Sequence, residues 1–200
     1  LSFGTAGLRG IMGLGTNRMN NYVVRRVTQG LANYLNKSKE VAKVIISYDS
    51  RNNSQKYAEE TACVLTANGI KAYLFSEMMP VPVLSYAVRA LGCDAGIMIT
   101  ASHNSKEYNG YKVYAATGGQ ILDEEADAIL REIEKLDFFN DVRKVEISEA
   151  FNGDCEYVGE DIYRNYIKEV ENATAFREGN VNGGINIIYT PLNGSGRKPV

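Results

Sequence analysis

The sequence predicts an α/β fold, a mainly parallel or mixed sheet covered by helices, followed by the start of a second α/β domain. Three observations carry this expectation. Segments with apolar residues at helical spacing alternate with short, nearly unbroken apolar runs, the pattern of helices laid over buried strands. Polar stretches rich in Gly, Asn and Ser separate the two kinds of segment, as turns and loops do. Of the 200 residues, 44% are apolar, enough to bury the core of one ordinary domain and part of another.

The elements follow in order. From Asn20 to Leu35, apolar Val23, Val24, Val27, Leu31 and Leu35 recur at helical spacing behind an asparagine suited to cap a helix. Val44–Ile46 is a strand and polar Asp49–Ser54 a loop. Ala58, Ala62 and Leu65 stripe a second helix that Gly69 ends. Ile70–Phe75 is the next strand. Pro82 suits the first turn of a third helix, which carries Val83, Leu84, Ala87, Val88 and Leu91 on one face. Ala95–Ile99 reads as a fully buried strand.

Beyond a polar loop, Tyr111–Ala115 is a further strand and Gly118-Gly119 a turn. Asp123 then caps a fourth helix with Ala126, Ile129, Leu130, Ile133 and Leu136 inward. Periodicity fades from Phe138 to Gly159. The expected organisation is a first domain over residues 1–145, a linker over 146–158, and from 159 to 200 a connecting helix and the truncated opening of a second domain, whose first strand is Ile185–Tyr189. A chain beginning at Leu1 and ending at Val200 reads as a fragment.

Composition narrows the partners. Twenty-two basic residues nearly balance twenty-four acidic ones, so no broad positive field invites a nucleic acid or an anionic membrane. No apolar run reaches the roughly 20 residues that span a bilayer, and the expected location is the cytoplasm. Cys63, Cys93 and Cys155 are widely spaced and odd in number, which suits buried free thiols. With His103 the only histidine, a zinc site of the His/Cys type is not expected.

One loop stands out chemically. Thr100-Ala-Ser-His-Asn-Ser-Lys-Glu-Tyr-Asn-Gly110 follows a buried strand, and ligands of open α/β sheets bind beyond the carboxyl ends of strands. Its hydroxyls, amides and imidazole could hold a phosphate, although an ordinary polar loop would look similar. The glycines at 10, 13 and 15 lack the dinucleotide-binding spacing, and Gly194-Ser-Gly-Arg-Lys198 lacks the Walker spacing. Both read as turns. On an extended backbone adjacent side chains point apart, so His103 is not expected to deprotonate Ser102.

The stretch Gly96–Tyr114 is similar to the phosphoserine loop of the α-D-phosphohexomutases. Phe3-Gly-Thr-Ala-Gly-Leu-Arg-Gly10 resembles that family's amino-terminal motif, in particular its phosphoglucomutase and phosphopentomutase branch. Tyr48–Ser54, Met79–Pro82 and Tyr189–Val200 match in the same order, so the resemblance covers essentially the whole chain. It implies the family's first domain and an enzyme, a phosphoglucomutase/phosphomannomutase-type isomerase, that interconverts hexose 1-phosphate and 6-phosphate through a 1,6-bisphosphate.

The resemblance also implies roles. Ser102 carries the transferable phosphate and, through it, one ligand of Mg2+. Lys112 exchanges a proton with the sugar hydroxyl, Arg9 stabilises phosphate charge, and His103 donates to substrate or phosphate. Asn104, Asp49 and Arg51 bind phosphate or orient the others. Glucose 1,6-bisphosphate is the implied activator and intermediate, and glucose the expected sugar, with mannose, glucosamine and pentose phosphates left open. The remaining metal, sugar and docking loops would belong to downstream domains of the same chain, so the 200 residues alone should turn over little or no substrate. Ser105 stands where many relatives carry proline. Two other readings remain: a noncatalytic sugar-phosphate binding or regulatory domain, and a hydrolase.

Overall fold

A computed structural model of the chain describes residues 1–173, 184 and 186–200. Its strands are β1 (Leu8–Ile11), β2 (Lys43–Tyr48), β3 (Lys71–Phe75), β4 (Ala95–Ile99), β5 (Tyr108–Ala115) and β6 (Cys155–Val158). Its helices are α1 (Asn21–Leu35), α2 (Ser54–Ala67), α3 (Val81–Ala90), α4 (Asp123–Glu134), α5 (Ile147–Asn152) and α6 (Glu160–Ala173). The strands form one sheet in the order β1-β5-β4-β2-β3-β6. Pairs β2/β3, β2/β4 and β3/β6 are parallel, while β5 runs antiparallel to β4 and β1. The sheet is therefore mixed, as the sequence predicts.

Local chemistry sets the helix ends. Asn20 accepts the Val23 N–H at 3.0 Å and starts α1, while its amide nitrogen donates to the carbonyls of Gly13, Gly15 and Arg18. Gly69, at φ +72°, closes α2, and the Ile70 N–H reaches back to the Leu65 carbonyl at 3.1 Å. At α4 the expected cap shifts by one residue: Asp123 is the first helical residue, and Glu125 accepts the Leu122 N–H at 3.1 Å.

Three layers result. Alternate residues of the central strands, among them Val44, Ile46, Ile97, Ile99 and Tyr111, face a core shared with α1, α2 and α4. Ile45, Met98 and Tyr114 face the opposite way, under α3 and α6. Cys63, Cys93 and Cys155 are buried and free, as expected. Among the described residues no helix is long and apolar enough to cross a membrane.

Several expectations change. Residues 146–158 are no linker: they carry α5 and β6, and β6 extends the sheet beside β3. Only four residues long, β6 gives too little alternation to be read locally. Gly10 lies in β1 rather than a turn, and β5 begins at Tyr108 instead of Tyr111. Residues 186–190 form no strand, and Ile185 lies outside the described residues. The segment after them docks on the domain: Tyr163 Oη donates to the Lys198 carbonyl at 2.8 Å, Lys198 Nζ bridges Glu77 and Glu160, and Ser50 Oγ donates to the Asn193 carbonyl.

Candidate active site

Topology selects one end of the sheet. From β2 the chain passes through α2 to β3 on one side, then through α3 to β4 on the other side of β2. Strand order therefore reverses between β2 and β4, where open α/β sheets bind ligands at the carboxyl ends. Those two ends carry Asp49 and Thr100–Ser102. The Asp49 N–H donates to the Ile99 carbonyl at 3.2 Å, which locks the two ends together.

Asp49 is a hub. Its Oδ1 accepts the Arg51 N–H at 3.0 Å and Ser54 Oγ at 2.7 Å, and its Oδ2 accepts Thr100 Oγ1 at 2.6 Å. The Thr100 hydroxyl in turn accepts the Ser102 N–H at 2.9 Å. Arg51 Nε lies 3.3 Å from Asp49 Oδ2, and the two side chains are each 13% exposed. The Arg51 guanidinium then donates to the carbonyls of Ser102 (2.8 Å), Asn104 (2.5 Å), Ser105 (2.8 Å) and Tyr108 (3.1 Å). Buried Asn109 secures the far end, donating to Ser54 Oγ at 3.0 Å and to the Asn52 carbonyl.

Within this frame Ser102 is exposed and holds φ +58°, a left-handed conformation that non-glycine residues rarely adopt and that concentrates at functional sites. The conformation overturns the extended-backbone premise for His103. In a turn, neighbouring side chains need not diverge, and His103 Nδ1 stands 3.3 Å from Ser102 Oγ. Asn104 also belongs to the turn, donating its N–H to the Ala101 carbonyl, while its buried Oδ1 has no hydrogen-bond partner. Ser105 and Glu107 lie on the exposed outer part of the loop.

Arg9 and Lys112 come together through strand register. Arg9 of β1 pairs with Gly110 of β5, and directly paired residues share a face, as do residues two apart on one strand. Arg9 and Lys112 therefore share the face opposite Leu8 and Tyr111, with glycine between them. At Gly110 an added Cβ would meet the Thr100 carbonyl oxygen at 2.6 Å. At Gly7, which holds φ +73°, one would run into the Tyr111 carbonyl oxygen. Neither position admits a side chain without moving backbone.

The predicted residues thus fall into two groups. Ser102, His103 and Asn104 share the exposed turn, with Arg9 and Lys112 on the adjoining strands. Asp49 and Arg51 face inward and hold the turn. Thr100, Ser54 and Asn109 were missed as participants; the signal for Thr100 and Asn109 was the density of hydroxyls and amides between Thr100 and Gly110, and for Ser54 its place at the end of the polar Asp49–Ser54 loop. A concavity of about 430 Å³ lies elsewhere, between α1, α4 and the first residues, and none of the predicted site residues lines it.

Residues 1–140 match the family model described as phosphoglucomutase/phosphomannomutase, alpha/beta/alpha domain I. The chain belongs to this family. A phosphoglucomutase of Staphylococcus saprophyticus is 40% identical over 197 residues, 98% of this chain and 35% of the relative. The phosphoglucomutase of Staphylococcus aureus strain MRSA252 is 35% identical over the same coverage. The chain therefore spans about a third of the length of the curated relatives it matches. Among solved structures, a Thermus thermophilus protein assigned as a phosphomannomutase superposes with a TM-score of 0.70 at 28% identity, over 85% of this chain and 35% of that one. The open form of pp63/parafusin from Paramecium, at 0.69 and 20% identity over 88% and 35%, shares the fold. The domain I of this phosphomutase family is the frame in which the serine turn sits.

Proposed function

We propose that Ser102 carries a transferable phosphoryl group, and that the protein containing this chain is a phosphosugar mutase interconverting hexose 1-phosphate and 6-phosphate, with glucose the favoured sugar. The observation that carries this reading is an exposed serine held at positive φ at the strand-order reversal of a phosphomutase domain. A phosphoserine brings about two negative charges, and transfer asks the protein chiefly for positioning and charge stabilisation.

In the proposed reaction the bond from phosphorus to Ser102 Oγ breaks as one forms to a sugar hydroxyl. The hydroxyl gives up its proton and Oγ regains one. Lys112 exchanges the proton at the sugar, and His103, with Nδ1 3.3 Å from Oγ, can donate to the serine oxygen when that nitrogen carries the proton. Arg9 offers its fork of donors to the phosphoryl oxygens, and Asn104 lines the turn. The 1,6-bisphosphate then turns over and returns its other phosphate to Ser102.

Magnesium does not find a complete site here. Both oxygens of Asp49 are engaged by Thr100, Ser54 and Arg51, and among the described residues no group of three or more His, Cys, Asp or Glu could hold a metal ion. Within this chain only Ser102, through its phosphate, would contribute a ligand, so no step is assigned to the ion. The remaining ligands and the sugar-reading groups belong, in this proposal, to further domains of the same cytoplasmic protein. Beyond α6 the chain would enter the first of them, the protein's second domain.

The test is incubation of the full-length protein with labelled glucose 1,6-bisphosphate. Label should appear on the Ser102 peptide and vanish in Ser102→Ala, together with turnover of glucose 1-phosphate. Binding without label would favour a regulatory sugar-phosphate module instead.

A further inference from the structure

The Arg51 guanidinium has no donor left for a substrate. Arginine offers five N–H groups in a planar fork. Here Nε faces Asp49 Oδ2, one terminal nitrogen serves the Ser105 and Tyr108 carbonyls, and the other serves the Ser102 and Asn104 carbonyls. Every contact lies within the protein, and four of the five are to carbonyls of residues 102–108. Thr100 completes the link: its hydroxyl donates to Asp49 and accepts the N–H of Ser102.

We infer that Arg51 and Thr100, joined through Asp49, are positioning residues that hold Ser102 in its left-handed conformation and so aim Oγ for phosphoryl transfer. The inference rests on the phosphoserine reading and sharpens it. Arg51 grips the carbonyls on both sides of the turn, Thr100 holds the serine's own N–H, and Asp49 fixes both at the carboxyl end of β2. The positive φ at Ser102 is unfavourable by itself, and these bonds are what oppose its relaxation. Misplacement of a reacting atom by about 1 Å can cost 10²-fold in rate, so the signature belongs in kcat, with little change in KM.

The experiment uses the full-length protein and four variants: Arg51→Lys, Arg51→Met, Thr100→Val and Thr100→Ser. Turnover is measured by coupled assay, Ser102 labelling with the 1,6-bisphosphate, and folding by thermal unfolding. Thr100→Val removes one hydroxyl from a nearly isosteric side chain and should lower kcat about 10- to 100-fold, with KM within about three-fold and slowed labelling of Ser102. Thr100→Ser should restore most of the loss, because it returns the hydroxyl. Arg51→Lys should not rescue, since a lysine cannot reproduce the planar fork. Normal kcat in Thr100→Val, or a rise in KM with unchanged kcat in Arg51→Met, would overturn the inference. Should Arg51→Met fail to fold, the Thr100 pair decides alone. Absence of label on Ser102 in the unmodified protein would instead defeat the phosphoserine reading, so the two failures are separable.

Discussion

Substituting alanine for Gly110 should damage the site through backbone alone. Its added Cβ would lie 2.6 Å from the Thr100 carbonyl oxygen, 2.8 Å from that of Leu8 and 3.3 Å from Arg9 Cβ. Ordinary contact begins at 3.4 Å, so the chain must open by about 0.8 Å toward Thr100 and about 0.6 Å toward Leu8. Those two carbonyls lie on opposite sides of β5, one at the end of β4 and one in β1, and neither can swing away as a side chain could. The same movement carries Ser102 and Arg9 with it. Overpacking of this kind costs about 1–3 kcal/mol, a fall in Tm of about 3–10 °C for a domain of this size. The accompanying shift at the serine turn should lower kcat by about 10²-fold. Gly119→Ala is the control, since its nearest neighbour would stand 3.6 Å away and its stability should stay within about 0.5 kcal/mol. The assay is thermal unfolding followed by circular dichroism, with turnover of the full-length protein. Gly110→Ala matching Gly119→Ala in both would refute the register argument that joins Arg9, Gly110 and Lys112.

Three further outcomes follow from the fold. Burial pushes the thiol of Cys63 up to about 11 and those of Cys93 and Cys155 to about 12, from an ordinary 9.0. The folded protein at pH 8 should therefore resist iodoacetamide at all three, and the denatured chain should react. Above pH 9 unfolded thiols lose protons that folded ones keep, so this contribution to stability is whole below pH 9 and is lost as pH rises through about 11–12. Denaturant titrations across that window should show the decline, and triple substitution by alanine should flatten it. Asn20→Ala should cost about 1–2 kcal/mol by denaturant unfolding. Asn20→Asp, which keeps the cap but loses the donor to Gly13, Gly15 and Arg18, should cost less.

Much of the fold was legible because its signals are local. The stripe Val23–Leu35 and the buried run Ala95–Ile99 are visible within a dozen residues, and both became elements at nearly the expected bounds. β1 was not legible: its four residues alternate inward and outward, but the partner that makes them a strand is Gly110 and its neighbours, about a hundred positions later. α5 and β6 are short and lie at the sheet edge, so their apolar pattern is too brief to outweigh polar surroundings. At the site, the motif exposed Ser102, Arg9 and Lys112 by likeness. The left-handed turn at Ser102 was hidden, because contacts with Arg51 and Asp49, some fifty positions earlier, hold it. The same turn brings His103 beside the serine, which alternation along an extended chain could not anticipate.

The most direct test of the phosphoryl-carrier claim is to trap the phosphorylated full-length protein by rapid acid quench and locate the phosphate by peptide fragmentation. An acid-stable phosphate ester on Ser102 is expected, formed with the 1,6-bisphosphate and discharged onto the sugar monophosphate. An acid-labile phosphate on His103, 3.3 Å away, or a Ser102 ester that the monophosphate cannot discharge, would contradict it.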